Sequence, residues 1–255
     1  MSKITSRITG NEYDAAEWSL RVDMAAVFRL TVEFGWHESV ANHFSATLSE
    51  DGKLFLLNPK WQHFSTIRAS DLLTLNAEDS GVMERDNPPD PSAWCIHGAV
   101  HAAVPDAKVI LHCHPTYATA LCGLEDPRIL PIDQNTARFF NRHVVDTEFG
   151  GLATEDEEGE RIASRIAGQE VLIMSNHGIT VVGQTVAQAF ENLYYLERAA
   201  QTMLIAYQSG QPLKVMSDEI AEKTAQGWES FSGAGDAHFA HWKGILDQRE
   251  PDYAS

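Results

Sequence analysis

Two histidines, His112 and His114, stand one residue apart after the apolar run Val109-Ile110-Leu111 and just before Pro115. If that run is a strand, side chains alternate between its faces. Both imidazoles then lie on one side and Cys113 on the other. Two imidazole nitrogens on one face can take adjacent positions on a tetrahedral metal ion. The competing reading is a pair of partly exposed strand histidines with no ligand. A third histidine, His177, lies in Ser-Asn-His-Gly, directly after the apolar run Val171–Met174. Gly178 is read as the residue that permits a tight turn there. His177 is either a ligand arriving from far along the chain or a turn histidine bonded to its own backbone, and spacing does not decide between them. His97 and His101 stand four apart on a candidate helix, but the sequence is not His-Glu-x-x-His. His97, among Trp94, Ile96 and Val100, is read as structural and His101 as a surface residue.

These residues need elements to hold them. Lys108–His114 reads as a strand, and Val171–Ser175 and Ile179–Val182 read as two more around the turn at Asn176–Gly178. The rigid stretch Asp86–Pro91 precedes a helix over Ala93–Ala103, with Ser92 as its cap and Pro105 as its stop. Upstream, Ala15–Phe34 carries apolar residues on one helical side and ends at Gly35. Ser45–Leu48 and Leu54–Leu57 flank an Asp-Gly turn and read as a hairpin. Downstream come a helix over Tyr117–Cys122, a strand over Val144–Phe149, an acidic helix over Glu155–Ala167 and a long amphipathic helix from Val186 to Tyr207. The acidic run at 155–160 is read as a solvated helix start. Tyr194 and Tyr195 read as core aromatics on the long helix, and Glu191 and Glu197 as ordinary helix charges. Alternating helices and short strands indicate an α/β sandwich with mixed or antiparallel pairing. The division is a loose segment 1–12, a domain over 13–212 and a polar, aromatic-bearing C-terminal helical tail over 213–255.

At 255 residues and 44% hydrophobic composition, one domain has enough apolar material for a sizeable core. A formal net charge of -17 disfavours nucleic acid and anionic membrane surfaces as partners. No apolar stretch approaches the roughly 20 residues that span a bilayer, and no secretory leader is visible. Three cysteines without paired spacing fit a reducing compartment. The expectation is a cytoplasmic protein acting on a small molecule.

The runs GWHESVANHFSATL, SAWCIHGAVHAAVPDAKVILHCHPTYATAL and VLIMSNHGITVVG occur in the order and approximate spacing of the class II aldolase and adducin head-domain family. The resemblance covers Ala15 to Tyr207. It implies a single-domain three-layer α/β/α sandwich with a mixed, largely antiparallel central sheet. A homotetramer with sites between subunits is also implied. So is a divalent metal, zinc or else Mn2+ or another ion, held by His112, His114 and His177. Adducin heads share the fold without catalysis, so the fold alone grants no activity.

The sequence departs from the sugar-phosphate aldolases at their acid/base glutamate, where Ala93 stands in Pro-Ser-Ala-Trp. The later glutamate of related dehydratases aligns with Asn135. The phosphate-binding motif is replaced by Asn42-His43-Phe44-Ser45, and the companion loop carries Lys60 and bulky Trp61. By this resemblance His43, Gln134 and Tyr195 are the catalytic candidates. Asn42, Ser45, Lys60 and Arg138 are the substrate-binding candidates. The expected activity is carbon–carbon cleavage, by decarboxylation or retro-aldol reaction, of a small hydroxylated and carboxylated compound without phosphate. A silent adducin-like module and a sugar-phosphate aldolase or epimerase are the alternatives.

Overall fold

The apolar runs between turn residues become strands of one sheet, and the amphipathic runs become helices on its two faces. The computed structural model describes residues 13–148, 156–231 and 233–255. The loose N-terminal segment 1–12, Phe149 and Glu155 of the expectations lie outside them. In chain order the elements are α1 (Ala15–Glu33), β1 (His43–Thr47), β2 (Leu54–Leu57), β3 (Leu73–Asn76), α2 (Pro91–Ala103) and β4 (Val109–Cys113). They continue with α3 (Thr116–Cys122), α4 (Gln134–Ala137), β5 (His143–Asp146), α5 (Asp156–Ile166), β6 (Val171–Met174) and β7 (Ile179–Gly183). The last three are α6 (Val186–Gln208), α7 (Asp218–Ser230) and α8 (Ala234–Arg249).

The strands form one sheet in the order β3-β2-β1-β4-β7-β6-β5. Every neighbouring pair is antiparallel except β5 with β6. The sheet is therefore mixed and largely antiparallel, as expected. Strand alternation divides β4 between two cores. Val109, Leu111 and Cys113 pack with α1, α3 and α6, while Ile110 packs with α2 and α5. Helices on both faces make the three layers, and His112 shares the Ile110 face.

The C-terminal segment joins the larger core through Phe239, Leu246 and Tyr253. Arg29 of α1 pairs with Glu250 and Asp252, both at 3.0 Å. No helix among the described residues is long and apolar enough to cross a membrane.

Three local expectations are corrected. Helix α2 starts at Pro91 and is capped by Asp90, which accepts from the Ser92 and Ala93 amides, so Ser92 is not the cap. A proline at the first helical position loses only an N–H that has no intrahelical partner anyway. His101 is 3% exposed rather than a surface residue. Glu191 and Glu197 are buried: Glu191 accepts from His238 at 2.6 Å, and Glu197 caps α3 by accepting from the Tyr117 and Ala118 amides.

Candidate metal centre

β4 delivers His112 and His114 to the α2/α5 face, and the connection from β6 to β7 delivers His177 beside them. A ligand nitrogen from each lies within 4.8 Å of the others. His112 Nε2 and His114 Nε2 are 3.2 Å apart. Adjacent nitrogens on a tetrahedral zinc, each roughly 2.0–2.1 Å from the metal, sit roughly 3.3 Å apart. The donor set therefore fits a divalent ion, and among the described residues it contains three ligands.

The outer nitrogens are already committed. His114 Nδ1 donates to Glu38 Oε2 at 2.5 Å, and His112 Nδ1 lies 3.2 Å from Thr180 Oγ1. Such partners fix the tautomer that leaves Nε2 as a lone pair. Burial pushes the His112 imidazole well below its ordinary range, and burial with the neighbouring His114 brings His177 down to about 4. Both are thus neutral donors near pH 7, the form a metal requires.

Gly178 matters for a different reason from the one expected. The residue with positive φ in this turn is Asn176, at 59°. A Cβ on Gly178 would lie 2.3 Å from His114 Cδ2. The glycine is needed so that the His177 turn can close on the His114 ring.

Around the three histidines lies a buried polar seam. His43 is paired in register with His112, and the two rings stack with centroids 4.7 Å apart. His43 Nδ1 meets His97 Nε2 at 2.7 Å. His97 Nδ1 meets Ser45 Oγ, Ser45 Oγ meets His101 Nε2 at 2.7 Å, and His101 Nδ1 meets the Ala107 carbonyl at 2.7 Å. The Ser45 hydroxyl is thus occupied by two imidazoles. Asn42 Oδ1 accepts from the Glu38 amide at 2.6 Å, while its buried Nδ2 has no hydrogen-bond partner among the described residues. Ala93 is 1% exposed and packs among Phe55, Leu57, Leu75 and Val82.

The other candidates engage other partners. Lys60 holds its ammonium 4.5 Å from the centre of the Trp61 ring, which is itself 74% exposed. Arg138 donates to Asn192 and lies over Tyr195 and Trp228, and the Gln134 carbonyl accepts from the Trp228 indole. Gln134, Arg138 and Tyr195 are therefore brought to one another rather than to the three histidines. Arg138 lines a cavity of about 360 Å³ that includes Thr185, at the Gly183 end of β7. His177 precedes the opposite end of that strand, roughly 13 Å away at the strand rise per residue.

Two carboxylates near the seam were missed from sequence. Glu38 sits in a loop with no pattern to mark it. Asp90 attracts His43 electrostatically and is held below the usual carboxylate range by Ser92, the Ala93 amide and His43 against the opposing effect of burial. The signal for Asp90 was available: Asp-Pro before a helix marks a cap followed by its first residue.

Residues 22–204 match the family described as the class II aldolase and adducin N-terminal domain. The chain belongs to that family. A Caulobacter vibrioides chain assigned to aldolase class 2 is 30% identical over 247 residues, which cover 94% of this chain and 93% of that one. Decarboxylase NovR of Streptomyces niveus is 28% identical over 213 residues, 81% of this chain and 75% of its own length. The crystal structure of an aldolase II superfamily protein from Pseudomonas syringae superimposes with a TM-score of 0.85 at 28% identity, covering 96% and 98% of the two chains.

Proposed function

We propose that this protein is a divalent-metal-dependent lyase that cleaves a carbon–carbon bond in a small hydroxylated, carboxylated substrate without phosphate. The observation that carries the proposal is the convergence of His112, His114 and His177 with no fourth protein ligand among the described residues. A divalent ion held there, zinc or another, supplies Lewis-acid stabilisation of negative charge on a substrate oxygen. A catalytic site differs from a closed structural one in keeping such positions open.

The residues of the chain supply the rest. Asn42 Nδ2, buried and unpartnered, is a donor for a substrate oxygen. His43 accepts a hydroxyl proton in a retro-aldol reaction, and Lys60 offers a point charge for a carboxylate. Decarboxylation suits the loss of the acid/base glutamate, because leaving CO2 requires no hydroxyl deprotonation and only a later proton donor. Similarity to a decarboxylase supports the same branch. Gln134, Arg138 and Tyr195 act, on this reading, toward a neighbouring copy in a homotetramer, which light scattering of the purified protein tests.

Protein purified without added metal is expected to hold one divalent ion per chain, and the His112→Ala/His114→Ala double variant none. Wild-type protein lacking a stoichiometric ion would refute the proposal in favour of a silent, adducin-like module. CO2 and aldehyde release over a panel of hydroxy acids then separates decarboxylation from aldol cleavage. His43→Ala is expected to lower turnover by roughly 10²–10⁴, the usual contribution of an acid or base.

A further inference from the structure

The buried seam beside the three histidines has a direction that follows from elementary donor and acceptor counting. The Ala107 carbonyl can only accept, so His101 Nδ1 carries a proton. Neutral His101 then offers Nε2 as an acceptor, and the Ser45 hydroxyl donates to it. With its one proton used, the Ser45 oxygen accepts from His97 Nδ1–H. His97 Nε2 is consequently the acceptor for His43 Nδ1–H. Each step leaves a single choice for the next, and the last leaves His43 Nε2 without a proton.

We propose that Ser45, His97 and His101 are positioning residues: their chain, anchored at the Ala107 carbonyl, fixes His43 as its Nδ1–H tautomer and turns the Nε2 lone pair toward substrate beside the candidate metal ligands. Three observations support this. His43 Nε2 has no hydrogen-bond partner among the described residues and is not one of the buried orphaned atoms. The His43 ring stacks on His112 at 23° and interacts electrostatically with His114 and His177, so it borders the triad. His97 and His101 are 0% and 3% exposed, and burial lowers both imidazoles, His101 to about 4, which keeps the chain neutral as the counting requires. A chain this deep is built to set orientation, since solvent reaches none of its inner links.

The role of Nε2 toward substrate rests on the lyase reading; the polarity of the chain does not, and it is measured separately. Long-range 1H–15N correlation spectra of metal-free protein at neutral pH are expected to show His43, His97 and His101 each with pyrrole-like Nδ1 and pyridine-like Nε2. His101→Phe keeps an aromatic ring beside Phe55 but removes the terminal acceptor. The Ser45 hydroxyl then turns to His97 Nδ1, and both His97 and His43 flip to the Nε2–H form. Ser45→Ala cuts the chain and is expected to leave His43 as a mixture of tautomers, while Ser45→Thr restores the single form.

Because these residues act on His43 rather than on the triad, Zn2+ affinity of the variants should fall by less than the roughly tenfold that losing a ligand-orienting partner costs. The proposal is overturned if wild-type His43 carries its proton on Nε2. It is equally overturned if His101→Phe leaves the His43 tautomer unchanged, or if zinc affinity falls further than that. Failure of the metal analysis above would remove the lyase reading while leaving the tautomer result standing.

Discussion

His112 and His177 are held as neutral imidazoles because burial opposes a charge on either ring. The arrangement depends on one missing methyl group. Gly178→Ala would place a carbon 2.3 Å from the His114 ring, inside any real contact, and the ring or the turn must move. The expected outcome is at least a tenfold loss of zinc affinity with a small change in thermal stability, measured by competition with a chelator and by melting. The pair within the triad was legible in the sequence, since alternation puts His112 and His114 on one face, whereas His177 was joined to them only through the family resemblance. The need for Gly178 was legible as a turn signal but for the wrong cause: the strain falls on Asn176, and the glycine answers a contact made 64 residues away in the chain, at His114. Such a contact leaves no periodic trace. Glu38 was invisible for the same reason.

Among the elements, α2 shows how local rules and tertiary contacts divide the work. Its apolar face, Ile96 and Val100, meets Ile162 and Ile166 of α5 over Ile110 and Val182 of the sheet. Its polar positions, His97 and His101, turn toward β1. The helix was predictable from period and flanking prolines, but the burial of His101 was not, because its partners are a strand serine and a carbonyl beyond the helix. Asp90 holds the N-terminus with one carboxylate oxygen accepting from two amides. Asp90→Ala is expected to cost about 1 kcal/mol in urea unfolding, as for other lost caps. Asp90→Asn should recover most of that while removing the negative charge near His43. A His43 pKa that moves further down in Asp90→Asn would establish the electrostatic contact, because the carboxylate now raises it.

Across the whole molecule, one sheet serves two cores, and the C-terminus closes the larger. Tyr253 is fully buried and its hydroxyl donates to Asp247 at 2.5 Å, while Ser255 accepts from the Ser70 amide. Tyr253→Ala is expected to destabilise the fold by roughly 3 kcal/mol, in the range of buried aromatic deletions. The polar composition after Leu213 hid this, since the anchoring aromatics are widely spaced. Stability should also depend on acidity. His101 and His43 titrate near 4 when folded, against an ordinary value of 6.5. Between those values the unfolded chain binds more protons, so the stability these two rings contribute falls as pH drops from 6.5 towards 4, and their effect levels off below. Each ring contributes on the order of 3 kcal/mol to that fall, measurable from urea midpoints across a pH series.

The pairing of His43 with His112 across β1 and β4 makes strand register a kind of reading frame for the chemistry. A slip by one residue would exchange the two faces of β1, sending Phe44 toward α2 and His43 into the larger apolar core. That core would reject the imidazole, so the same hydrophobic sorting that aligns the strands also proofreads the site. A single inserted residue within 43–47 would therefore erase both frame and function at once.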